Sequence, residues 1–192
     1  MANIERLRFF AAHAAQSVVL HGRNEAAVLA AITPALATLI AQDDFLPEAY
    51  TKPDPKYYQQ YLLYGDPAQN LSIVSFVWGP GQKTPVHNHR MWGLVGILRG
   101  GELSTGYTER DGKLVPGTTE LLSPGRVVAV SPRLGDIHQI SNAYDDAVSI
   151  SIHVYGGNIG RVRREVFLPE TGEVKPFISG YVNTDVPNLW AA

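Results

Sequence analysis

The sequence predicts a mainly β protein, an antiparallel sandwich or small β-barrel with an N-terminal helical extension. From residue 71 onward, short runs rich in β-branched and aromatic residues recur at regular spacing: 71–78, 92–98, 103–109, 126–130, 147–155 and 162–167. Turn signals separate them, among them Gly79-Pro80-Gly81, Arg99-Gly100-Gly101, Asp111-Gly112 and Ser123-Pro124-Gly125. Before residue 42 the apolar residues recur instead at helical spacing.

Residues 4–18 place Leu7, Phe10, Ala14 and Val18 at helical intervals. A second helix is predicted over 25–40, an alanine- and leucine-rich stretch that Asn24 precedes as a cap. Pro34 lies inside it, and a ring there removes one hydrogen bond and crowds the preceding turn, so a break or kink near Thr33 is expected. Residues 43–67 carry Pro47, Pro53, Pro55 and Pro67 around Tyr57, Tyr58, Tyr61 and Tyr64, and read as an ordered connector. The segment from Pro169 reads as a wrap over the barrel, and no chemistry is assigned to it.

A chain of 192 residues fits one structural domain. Residues 1–66 form its helices and connector, and residues 67–192 its barrel, metal site and C-terminal wrap. The formal charge of −2 is spread without like-charge runs, which argues against a nucleic-acid partner. No stretch resembles a secretory signal or a membrane span, so no membrane partner and a cytoplasmic location are expected. The absence of cysteine excludes disulfides, thiolate metal sites and a cysteine nucleophile. Histidine, carboxylate and tyrosine must carry any chemistry.

Two histidines one residue apart, His87 and His89, follow a glycine- and proline-bearing turn in Gly81-Gln82-Lys83-Thr84-Pro85-Val86-His87-Asn88-His89. In a strand they would project to one face and share a metal ion. About fifty residues on, Pro132-Arg133-Leu134-Gly135-Asp136-Ile137-His138 repeats the device, a Pro/Gly turn followed by a histidine. His13 and His21, on or beside the first helix, read as ordinary surface or core residues. Three imidazoles without a carboxylate suit iron, zinc, copper or nickel better than magnesium or calcium.

These two motifs resemble those of the cupin superfamily over roughly residues 79–142, with His138 and Asn142 at the second motif's histidine and asparagine. The resemblance implies a double-stranded β-helix, or jelly-roll, barrel. Most metal cupins carry a glutamate four residues after the His-x-His pair, where this chain has Gly93. That departure, with Ser149-Ile150-Ser151-Ile152-His153-Val154-Tyr155, is similar to the thiol dioxygenases of the cysteine dioxygenase family. Alternation places Ser151, His153 and Tyr155 on one strand face and Ile150, Ile152 and Val154 on the other. In that family a Ser-x-His-x-Tyr hydrogen-bond chain directs the tyrosine hydroxyl toward the ligands of an Fe(II) ion.

The resemblance implies an Fe(II)- and O2-dependent enzyme that oxidises a small thiol to its sulfinate, with His87, His89 and His138 as metal ligands. A thiol with a carboxylate needs a cation. In Arg161-Val162-Arg163-Arg164-Glu165, alternation turns Arg164 inward and Arg161 and Arg163 outward, making Arg164 the candidate anchor, with an ion pair to Glu165 as the alternative. Cysteine-type members carry an arginine upstream of the first metal motif. Here that neighbourhood is Tyr57-Tyr58-Gln59-Gln60-Tyr61, and Gln60 resembles the glutamine of bacterial 3-mercaptopropionate dioxygenases. Gly93 also stands where mammalian cysteine enzymes have the cysteine of a thioether to the tyrosine, so Tyr155 is expected unmodified, and Gly156-Gly157 stands where they carry Ser-Pro, which favours the resemblance to the bacterial mercaptopropionate enzymes. The expected partners are therefore a small thiol, best 3-mercaptopropionate, and O2, with a homo-oligomer also open. L-cysteine as the main substrate, a non-catalytic metal-binding cupin and a zinc hydrolase are the competing readings.

Overall fold

The computed structural model describes residues 2–190 and is mainly β, with two N-terminal helices and two facing sheets. Helix α1 spans Ile4–His21 and α2 spans Glu25–Ile40. The Asn24 side chain caps α2 by accepting from the Ala27 N–H at 3.2 Å. The break expected near Thr33 does not occur, because α2 runs unbroken through Pro34. Burial of Leu29, Ile32, Leu36, Leu39 and Ile40 along it outweighs the one bond the ring removes.

The first sheet has the order β1 (Gln59–Gly65), β2 (Ser72–Trp78), β9 (Ser149–Tyr155), β4 (Gly93–Arg99), β7 (Val127–Val130). The second has the order β11 (Glu173–Phe177), β10 (Arg164–Leu168), β3 (Val86–His87), β8 (His138–Asn142), β5 (Glu102–Arg110), β6 (Lys113–Leu122). Every pairing is antiparallel.

Strands β2 and β9 are buried at every position, on both faces. On the outer face, Ile150, Ile152 and Val154 of β9 join Leu7, Ile32 and Leu36 of the helices in the main core. On the inner face, Val74, Phe76, Trp78 and Tyr155 meet Ile140 of the opposite sheet in a second core. The helices therefore press on the back of the sheet whose front carries the polar residues of β9.

Three further expectations need correction. The connector read over 43–67 ends in a strand, β1, whose Gln60 pairs with Phe76 across the first sheet. The C-terminal wrap contributes β11 to the second sheet and then lies along β1: Val182 N–H donates to the Gln60 carbonyl, and Asn183 brackets Leu62 through both its amide atoms. Finally, β3 is only two residues long, so His89 lies beyond its end rather than on a strand face.

Candidate metal centre and active site

His87 and His138 are direct partners across the β3–β8 pairing. Their ring centroids are 4.9 Å apart, and His89 sits 4.9 Å from His87 and 4.8 Å from His138, so the three rings form a nearly equilateral triangle. One nitrogen from each lies within 4.8 Å of the other two, and all three residues are buried. Strand alternation does not bring His89 in. The Asp136 carboxylate does: Oδ1 accepts from the His89 backbone N–H and faces its Nδ1, both at 3.0 Å, while Oδ2 accepts from the Arg90 N–H at 2.8 Å. The clamp coincides with a positive φ of 61° at Arg90, a conformation non-glycine residues rarely adopt.

The outward nitrogens are thus committed, His87 Nδ1 to the Pro85 carbonyl at 3.0 Å and His89 Nδ1 to Asp136, which leaves their Nε2 atoms free. Burial, together with the neighbouring imidazoles, pushes His87 down to about 3 and His138 well below the usual histidine range. Burial alone would raise Asp136, but the bonds from His89 and Arg90 prevail and hold it low, as an anion. Three imidazole donors with oriented rings fit a first-row ion such as iron or zinc. No carboxylate belongs to the triad; the nearest negative charge is one residue removed, on Asp136.

Ser151, His153 and Tyr155 do share one face, and they form a continuous chain. Ser151 Oγ lies 2.8 Å from His153 Nε2, and His153 Nδ1 lies 2.8 Å from the Tyr155 hydroxyl oxygen. The Tyr155 ring stacks on His89 with centroids 5.6 Å apart. Burial lowers His153 strongly, so it is neutral, and raises Tyr155, so its hydroxyl keeps its proton.

Arg164 and Gln60 line the same cavity of about 140 Å³ as the triad, His153 and Tyr155. Arg164 is 4% exposed, its guanidinium covers the Phe177 ring at 4.5 Å, and its Nη2 donates to Ser179 Oγ at 2.8 Å. Its Nε is buried without a partner, and no ion pair among the described residues includes it. Glu165, the alternative partner, is taken by Asn88 at 2.6 Å and Arg90 at 3.4 Å. Gln60 Nε2 donates to Ser179 Oγ at 3.2 Å and to the Gly180 carbonyl at 2.9 Å, so only its oxygen remains for the cavity. Ser179, which accepts from both Arg164 and Gln60, can still donate its own hydroxyl proton.

Sequence reasoning missed three contributors. Asp136 stood within the second histidine motif, and its place two residues before His138 was the available signal. Ser179 lies in the C-terminal segment to which no chemistry was assigned, and nothing local marks it. Glu102, at the start of β5, is fully buried against Ser151, Trp78 and Ser149, yet neither carboxyl oxygen makes a hydrogen bond within 3.5 Å. Asn142, by contrast, is structural: its Nδ2 ties the carbonyls of Trp78, Gly79 and Ala147 together. His13 and His21 are exposed on α1, away from the cavity.

Solved structures of similar fold are double-stranded β-helix and cupin proteins. A protein with a double-stranded β-helix domain from Klebsiella pneumoniae is 15% identical, the match covering 70% of this chain and 96% of that one, with a TM-score of 0.48. An RmlC-like cupin from Desulfovibrio desulfuricans is 22% identical over 60% of this chain and 95% of its own, with a TM-score of 0.42. An oxalate oxidase in complex with the substrate analogue glycolate is 18% identical over 54% and 53%, with a TM-score of 0.43. No protein-family model matches the chain. No helix among the described residues is long and apolar enough to cross a membrane.

Proposed function

We propose that this protein is a thiol dioxygenase that converts a small carboxylate-bearing thiol, best 3-mercaptopropionate, to its sulfinate, with Fe(II) held by His87, His89 and His138. The observation that supports it most is a convergence in one small cavity: three imidazoles, the Tyr155 hydroxyl that ends the Ser151–His153–Tyr155 chain, and a buried guanidinium with no carboxylate partner among the described residues. An unpaired buried cation is costly, and a substrate carboxylate relieves that cost.

In this reading Arg164 and Ser179 grip the substrate carboxylate and set the distance from that end to the sulfur. A ferrous ion supplies Lewis acidity that favours thiolate over thiol, and the redox chemistry that O2 requires. Tyr155 stands beside His89, where its hydroxyl can meet the reacting atoms. The reaction balances without a further reductant: a thiolate and O2 give a sulfinate, two S–O bonds form, and sulfur supplies four electrons to the two oxygen atoms. The apolar walls, from Phe76, Trp78, Ile140 and Val166, limit water at the sulfur.

The volume fits a ligand of few heavy atoms, well below the ~300 Å³ at which drug-sized pockets begin. No Asp or Glu among the described residues lines it, so none of their side chains pairs there with the ammonium of cysteine, which favours a thiol lacking one. The same lack disfavours a zinc hydrolase, which needs a general base near its water. Oxygen uptake and sulfinate formation by the iron-loaded protein, compared for 3-mercaptopropionate and L-cysteine, test this reading. A higher kcat/KM for cysteine overturns the substrate, and tight iron with no thiol turnover replaces the enzyme with a metal-binding protein.

A further inference from the structure

His153 is neutral and has one N–H, yet both its ring nitrogens lie 2.8 Å from a hydroxyl oxygen. One nitrogen must therefore donate and the other accept, and the chain has only two self-consistent directions. If Ser151 donates to Nε2, then Nδ1–H donates to Tyr155 and the tyrosine O–H is free to point into the cavity. If Nε2–H donates to Ser151, the tyrosine O–H is spent on Nδ1 and only an oxygen lone pair faces the cavity. The direction is decided at the far end, by what Ser151 meets.

Beside Ser151 lies Glu102, with no hydrogen bond joining the two. That carboxyl is 0% exposed and has no hydrogen bond within 3.5 Å, with Ser151, Ser149 and the indole of Trp78 as its polar surroundings. Trp78 Nε1 also donates weakly to Ser151 Oγ at 3.4 Å. We propose that Glu102 is a positioning residue that sets the polarity of the chain: as a neutral acid it donates to Ser151 and frees the Tyr155 O–H for the cavity, and as a carboxylate it accepts from Ser151 and turns that O–H back onto His153.

Both forms are within reach near neutrality. Burial raises Glu102 to about 7, against the lowering by Ser151, Trp78 and Ser149. The titratable groups on its side of the fold are Tyr155, which its charge reaches, and His153; Trp78 on β2, Leu122 on β6 and Asn142 on β8 carry no charge. The consequence for turnover rests on the dioxygenase reading, in which Tyr155 acts as a donor; the polarity itself does not.

The test reads the His153 tautomer by nitrogen-15 NMR on the full chain, metal-free and zinc-loaded as a diamagnetic probe, across pH about 5 to about 9. The wild type is expected to pass from the Nδ1–H to the Nε2–H tautomer with a midpoint near 7, and Glu102→Gln, whose amide does not titrate, to hold one tautomer throughout. One tautomer across the whole range in the wild type, or the same transition in both proteins, overturns the proposal. Should the variant not fold, infrared spectroscopy of the wild type replaces it: a carboxylic-acid carbonyl band must vanish together with the tautomer change, and its absence at low pH overturns the proposal equally. No thiol enters the measurement, so a tautomer switch without any thiol turnover refutes the proposed function alone.

Discussion

Gly93 and Tyr155 are partners across the β4–β9 pairing, and a Cβ on Gly93 would stand 2.8 Å from Cδ1 and 2.9 Å from Cε1 of the tyrosine ring. The missing side chain is the space that the ring occupies. Gly93→Ala should therefore push Tyr155 off His89, destabilise the fold by about 1–3 kcal/mol, and leave metal content intact. Displacing a reacting group by about 1 Å costs on the order of a hundredfold in rate, and thiol turnover should fall by that order. Thermal unfolding, metal analysis and an oxygen electrode check the three parts.

Arg164→Ala removes the buried guanidinium that lines the cavity. KM for 3-mercaptopropionate should rise by the worth of a charged pair, about 2–4 kcal/mol or roughly 30- to 1000-fold. Arg164→Lys should recover only part, since an ammonium cannot reproduce a bidentate grip. Steady-state kinetics decide it, and an unchanged KM removes Arg164 from the site.

Tyr155→Phe deletes one hydroxyl, whose only partner among the described residues is His153 Nδ1. Iron content should be unchanged and kcat should fall by about a hundredfold or more if the hydroxyl works as a proton donor. Loss of the metal would instead give Tyr155 a role in shaping the triad.

Asp136→Asn weakens the clamp that carries His89 past the end of β3. Metal affinity should drop about 10- to 100-fold, the usual effect of losing a carboxylate behind a ligating imidazole. Competition with a chelator measures it.

The metal-free protein should become less stable as it is acidified. His87 titrates at about 3 when folded and 6.5 when unfolded, so the stability from its neutral ring is complete above 6.5 and is lost as pH falls toward 3. His138 and His153 act in the same direction. Glu102 acts in the opposite one: raised from 4.5 to about 7, its contribution is complete below 4.5 and is lost as pH rises through 7. Each group changes stability by about 1.4 kcal/mol per pH unit inside its window. Three histidines outweigh one carboxyl, so urea denaturation between pH 4.5 and 6.5 should show stability rising with pH. A flat profile would show that the rings are not buried as neutral groups.

The β-rich class, the two helices, the histidine triad and the Ser151–Tyr155 face were legible because each is written in local periodicity and turn chemistry. Strand alternation alone separates His153 from Ile152, and burial then selects the direction each face takes. Strand β1 was hidden among tyrosines and prolines that mimic a loop, and β11 among the polar residues of an exposed edge. The strand alternation that groups the histidine pair holds for only half of it: His87 is on a strand, whereas His89 owes its position to Asp136, 47 residues away.

By itself, then, the sequence determined which side chains share a face and which types of donor the protein can offer. Only the tertiary structure decided which faces meet. Pairing of β3 with β8 sets His87 against His138, the C-terminal segment lying along β1 brings Ser179 to Arg164, and the two facing sheets bury Glu102 against Ser151. Those relationships depend on register and closure over long chain separations, where no residue's neighbours in sequence carry the information.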